Sequence, residues 1–352
     1  MSNLSFCIKC GFEYRDDSVS FCSSCGQPLP VKTEKLATTD ERTAETRFIE
    51  NSKVGLTRWW RWVVGILLIL LLWQGVGSIP AIIVCEYLQQ SNIKQFACDD
   101  SYIISGDSDV LGFVMSNYTF IIGIIGVWIT LKLIHRKTLT QVITGRNSFD
   151  YNRVFYALFI GLCIQAVLLV VNLLFLESEL SFQSPNPWEY LLFFLFAIVL
   201  TPYQSAFEEV LFRGYILQGI SLITKSKYMM VSVSAILFAV IHLGNPEPYE
   251  YGFTGYVTFL IIMGAFSAWI TLLDGGIELA VGLHAINNLW IFLIANTEIS
   301  AVSSPALFMV PMDTYGLIPE VPVLIIMNLV FIGLFNRKYK WFEWKNWADT
   351  LK

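Results

Sequence analysis

Apolar and polar residues fall in long blocks along this chain. After a polar opening stretch, eight apolar segments follow, at about 62–85, 110–131, 154–176, 190–207, 228–245, 253–273, 278–296 and 320–335. A helix needs about 20 such residues to cross the hydrocarbon core, within a range near 17–25. The first, second, third and sixth segments meet this fully. The fourth and last are short, and the fifth carries His242 near its end. The pattern predicts an all-α polytopic membrane protein of about eight transmembrane helices. Trp59, Trp60, Trp62, Trp188, Trp341, Trp344 and Trp347 sit near segment ends, where interfacial aromatics belong. Pro202 predicts a kink one turn before a pair of acids. The stretch 209–227 reads equally as a continuation of that helix or as a segment lying on the membrane surface.

Composition agrees. Hydrophobic residues make up 55% and charged residues 14%, with a mean hydropathy of +0.57; soluble domains carry about a quarter charged residues. A net charge of −5 gives no reason to expect nucleic acid as a partner. No secretory signal and no repeat of fixed period are read. Lys and Arg cluster before Trp62, in the loops after the second and fourth segments (Lys132, Arg136, Lys137, Arg146, Arg153; Lys225, Lys227), and in the tail. The alternate loops hold only Lys94. By the positive-inside rule both termini face the cytosol, and the expected location is the plasma membrane of a bacterium.

The polar opening stretch has its own pattern. Cys7-x2-Cys10 and Cys22-x2-Cys25 are separated by eleven residues, with Gly11 and Gly26 behind each pair. Two such knuckles suit one tetrahedral Zn²⁺, and resemble bacterial zinc ribbons. Residues 1–30 are therefore read as a ribbon with a structural zinc, residues 31–57 as a flexible cytosolic linker, 58–340 as the membrane domain and 341–352 as a cytosolic tail. A chain this short forms little core, so the metal supplies folding energy. Two disulfides are the alternative, disfavoured in a reducing cytosol. Whether the ribbon recruits a protein partner stays open. Cys163 reads as plain core, and a bridge between Cys85 and Cys98 is left undecided.

The chemistry lies in the spans. Phe207-Glu208-Glu209-Val210-Leu211-Phe212-Arg213-Gly214 ends a run without charge from Tyr190. Ionisable groups at membrane depth cost about 3 kcal/mol each on insertion scales, and mark function by default. His242 ends Phe-Ala-Val-Ile-His, and His284 opens His-Ala-Ile-Asn-Asn. Residues four apart share a helical stripe. That pairs Glu209 with Arg213, Phe238 with His242 and His284 with Asn288. His135, beside Arg136 and Lys137, reads as a solvated loop residue. Polar groups also bridge packed membrane helices without catalysing anything; six of them on three helices favour a site.

These motifs, Glu208-Glu209-x3-Arg213, Phe238-x3-His242 and His284-x3-Asn288, resemble in order and spacing those of the CPBP family of CAAX proteases and bacteriocin-processing enzymes, also called Abi. The resemblance covers roughly 188–296. It implies an intramembrane endopeptidase acting on peptides or proteins at the bilayer. In the glutamate-dependent version Glu208 is the general base, His242 holds the water, His284 and Asn288 donate to the oxyanion, and Glu209 pairs with Arg213. A carboxylate in a poorly solvated pocket suits a general base, and a donor pair on one stripe suits an oxyanion. A zinc-dependent version competes, since Glu, His and His also ligate Zn²⁺. With no HExxH pair on one helix, the expectation is no catalytic metal. The other readings are a non-catalytic immunity or peptide-binding protein of the same fold, and, more weakly, a proton-coupled transporter.

Overall fold

The computed structural model describes residues 5–6, 13–14, 43–91, 93, 95–99, 102–106, 108–175, 180–310 and 321–342. The chain divides into two compact units, residues 1–42 and 43–352. In the first, β1 (Ser5–Phe6) and β2 (Glu13–Tyr14) pair antiparallel, with Ser5 opposite Tyr14. The expected zinc ligands Cys7, Cys10, Cys22 and Cys25 lie outside the described residues.

The second unit is an all-α polytopic membrane protein. After α1 (Ala44–Glu50) come α2 (Trp59–Gln90), α3 (Asp109–His135), a short α4 (Leu139–Ile143), α5 (Tyr151–Phe175), α6 (Pro187–Ser221), α7 (Lys227–Gly244), a single turn α8 (Glu247–Glu250), α9 (Phe253–Asp274), α10 (Glu278–Leu293) and α11 (Val321–Tyr339). Seven of these are long and apolar enough to span; α10, the seventh expected segment, is shorter. The bundle is apolar outside as well as inside. On α5, Phe155, Phe159, Val167, Leu174 and Phe175 are exposed, and only 11% of its most apolar window is buried. Apolar patches of that extent belong against lipid. Cys163 is on this outer surface rather than in the core as expected: helical phase turns it away from α10, which meets α5 at Gly161.

At the far ends of the spans, β3 (Phe96–Cys98) and β4 (Ile104–Gly106) form a hairpin, and Cys98 is disulfide-bonded to Cys85. A small sheet places β5 (Ser181–Phe182) antiparallel to β7 (Phe308–Val310), and β6 (Ala295–Thr297) parallel to β7.

At the opposite end, residues 43–57 form a strap on the bundle. The linker expected over 31–57 therefore does not hold for this part. Thr43 caps α1, and Phe48, fully buried, packs with Leu217, Met230, Ala268 and Leu272. Gln218 Nε2 donates to the Phe48 carbonyl (3.0 Å), and Lys137 Nζ to those of Asn51 and Ser52 (2.8 and 2.9 Å). Polar composition hid one aromatic anchor and a set of backbone acceptors. His135 is part of this contact and is fully buried, not solvated as expected. Its Nδ1 bonds the Leu56 carbonyl (3.0 Å), and its Nε2 the Tyr215 hydroxyl (2.7 Å).

Candidate active site

The acids ride on α6, which does not stop at the motif. Asn186 caps it through Trp188 and Glu189 N–H groups, it runs through Pro202, and it continues past the acids to Ser221. That settles the course of 209–221 as helix. From Pro187 to Glu208 the rise is about 31 Å at 1.5 Å per residue, roughly one hydrocarbon thickness. Glu208 therefore sits toward the end of α6 remote from Trp188. Directly after Glu209 the helix widens into π-helical turns over Val210–Ile216. Such bulges recur at functional sites. Ser234 Oγ on α7 donates to the Phe212 carbonyl there (3.1 Å).

Glu208, Glu209 and Arg213 are all buried, at 4%, 0% and 1% exposure. The expected pair forms: Arg213 Nη1 donates to Glu209 Oε1 at 3.0 Å. Arg213 also donates from Nη2 to the Gly264 carbonyl (3.3 Å), and its guanidinium lies 4.4 Å from the Phe238 ring centroid. α7 and α9 touch closely here. A Cβ on Gly264 would sit 3.0 Å from Ala235 Cα, and one on Gly214 3.0 Å from Val142 Cγ1. Small residues let these backbones reach the guanidinium and the π segment.

His242 ends α7. Its Nδ1 bonds the Phe238 carbonyl (2.7 Å), which turns Nε2 toward Glu208 Oε2 at 3.9 Å. His284 on α10 bonds Glu209 Oε1 through Nδ1 (2.7 Å), and its Nε2 lies 3.7 Å from the same Glu208 Oε2. Glu208 Oε2 is buried without a hydrogen-bond partner. One carboxylate oxygen thus stands between two imidazoles from two other helices. The separations are too long for direct hydrogen bonds. The neighbouring acid serves differently, as acceptor for both Arg213 and His284.

The structure therefore brings together five of the six expected residues. Asn288, one turn beyond His284 and half-buried, is tied to its neighbour: Asn287 Nδ2 donates to Asn288 Oδ1 at 3.2 Å. The contributions of the Gly264 carbonyl, the π turns and Asn287 were not read from sequence. Gly264, in the middle of an apolar helix whose other glycine, Gly255, lies in its first turn, was the one available signal.

A tetrahedral zinc with ligands at about 2.0–2.1 Å places them about 3.3 Å apart, closer than the 3.9 and 3.7 Å found here. Among the described residues no group of three or more His, Cys, Asp or Glu is arranged to hold a metal ion.

Comparison with known proteins agrees with the motif reading. Residues 187–290 match the family model of Type II CAAX prenyl endopeptidase Rce1-like proteins. This interval contains Glu208, Glu209, Arg213, His242, His284 and Asn288. The chain is also 25% identical over 230 residues to the uncharacterized protein YyaK of Bacillus subtilis (strain 168), covering 64% of this chain and 76% of that protein. No solved structure matches it.

Proposed function

We propose that this protein is an intramembrane endopeptidase that hydrolyses peptide bonds in membrane-associated peptides or proteins. The observation that carries this reading is the Glu208 carboxylate held between His242 and His284 inside the matched interval. Glu208 takes a proton from a water that His242 Nε2 also holds, and the resulting hydroxide attacks the scissile carbonyl. The proton passes to the leaving amine as the C–N bond breaks. Because His284 Nδ1–H is committed to Glu209, a donor at Nε2 requires the imidazolium, whose charge Glu209 stabilises. That imidazolium and the Asn288 amide face the developing oxyanion. Arg213 holds Glu209 in place. No step is routed through a metal.

Both termini are proposed to face the cytosol, on the distribution of Lys and Arg, and the proposed location is the plasma membrane. Cys7, Cys10, Cys22 and Cys25 are proposed to hold a structural Zn²⁺. Substrates are segments that reach the Glu208 end of the bundle from the bilayer.

The test is a comparison of the membrane proteome of cells making the wild type with cells making Glu208→Gln, by mass spectrometry of new peptide termini. Junctions present only with the wild type are expected. A further arm removes residues 1–42 and adds a chelator, so that stripping the ribbon cannot confuse the result. Identical termini in both strains refute the endopeptidase, and activity lost to chelator and restored by Zn²⁺ refutes the metal-free mechanism.

A further inference from the structure

An amide is a useful oxyanion donor only when the correct end faces the substrate. Its NH2 attracts a developing negative oxygen, and its carbonyl repels one. The two ends have nearly the same shape, so something must hold the orientation. Asn288 has such a hold. Its Oδ1 accepts from Asn287 Nδ2 at 3.2 Å. Consecutive residues on a helix point about 100° apart and do not ordinarily meet, so this contact requires both side chains to lean toward each other. Asn287 and Asn288 lie three and four residues after His284 and so flank its stripe. Among the described residues no acceptor engages Asn288 Nδ2, and that atom is not sealed by packing. With the oxygen engaged, the two N–H groups are the end left for a ligand.

We propose that Asn287 is a positioning residue for the reaction, setting the orientation of the Asn288 amide so that it presents N–H rather than C=O to the oxyanion. This rests on the endopeptidase reading above. It assigns Asn287 no contact with substrate.

The experiment is a double-mutant cycle on purified protein in mild detergent. The substrate is a fluorogenic peptide spanning a junction lost in Glu208→Gln cells. Asn288→Ala is expected to lower kcat about 100-fold, as loss of one oxyanion donor does. Asn287→Ala lowers kcat about 3- to 10-fold with KM changed less than twofold, since the amide then samples both orientations. Asn287→Asp is isosteric but accepts rather than donates, so it draws Asn288 Nδ2 toward itself and turns the carbonyl to the substrate. It is expected to be worse than Asn287→Ala. In an Asn288→Ala background neither change at 287 has a further effect. Should Asn287→Ala not fold, the isosteric Asp and its own cycle with Asn288→Ala decide the matter. Wild-type kcat in the 287 variants, losses that multiply in the double variants, or an Asp variant no worse than Ala each overturn the inference while Asn288→Ala remains impaired. Wild-type kcat in Asn288→Ala overturns the oxyanion assignment itself, and this inference with it.

Discussion

Glu208 and Glu209 are neighbours with opposite structural duties, and one amide substitution at each separates them. In Glu209→Gln the volume is kept, but the oxygen facing Arg213 and His284 at 3.0 and 2.7 Å loses its charge. Arg213 is 1% exposed and has no water to turn to. Breaking a buried ion pair by removing one partner costs about 3–5 kcal/mol. The carboxamide oxygen still accepts a hydrogen bond, so the lower end, about 3 kcal/mol, applies. One kcal/mol moves Tm by about 2–4 °C in domains of 150–250 residues and less in larger ones, so a fall of about 5 °C is expected. Glu208 Oε2 has no hydrogen-bond partner, so Glu208→Gln breaks no hydrogen bond there, gives up only the longer contacts to His242 and His284, and should lower Tm by less than Glu209→Gln does. Both variants should lose peptide cleavage. Unfolding followed by tryptophan fluorescence in detergent, alongside the fluorogenic peptide assay, reads both quantities. Equal falls in Tm, or a larger fall in Glu208→Gln, would refute the division of labour.

Other outcomes follow from the strap. Phe48→Ala should cost about 3–5 kcal/mol, because the side chain is fully buried among Leu217, Met230, Ala268 and Leu272; limited proteolysis should then cut near residue 48 much faster than in wild type, and unchanged cutting refutes the docking. Gly275→Ala should have the same effect, since Gly275 has φ +70° and an added Cβ would strike the backbone of Ala44 and Glu45; an unaltered proteolytic pattern would show that the strap does not rest there. Burial pulls the Lys137 ammonium down from 10.5 to about 8. The folded chain then releases this proton at lower pH than the unfolded one, so unfolded chains bind more protons between about pH 8 and 10.5, and stability rises with pH in that window. Wild-type Tm minus Lys137→Met Tm should therefore increase from pH 8 to 10, and a flat or falling difference contradicts the burial.

How much was legible depended on whether the signal was local. The apolar blocks located each span, because lipid imposes length and hydropathy on a contiguous stretch. Glu209 with Arg213 could be read, since one turn of helix places them together. That His242, His284 and Glu208 share a pocket could be anticipated only from motif order, because three helices must pack to make it. The π turns over Val210–Ile216 left no trace, as a one-residue widening changes neither composition nor period. His135 and the strap were misjudged for a related reason: a polar, basic stretch reads as solvated, and only the tertiary structure shows that Leu56, Tyr215 and Gln218 provide its partners. Asn287 stands three residues after His284 rather than four, so the i, i+4 spacing did not single it out.

The strap has a consequence for biosynthesis. Its seat is made by Lys137, Gln218, Lys227 and Gly275, all translated far later than Phe48. A seven-residue helix such as α1 does not persist alone in water. This stretch leaves the ribosome before its seat and must therefore wait, unstructured and with its aromatic anchor bare, until α9 has entered the bilayer. Its closure is a late event in maturation, and N-terminal accessibility during synthesis reports how far insertion has progressed.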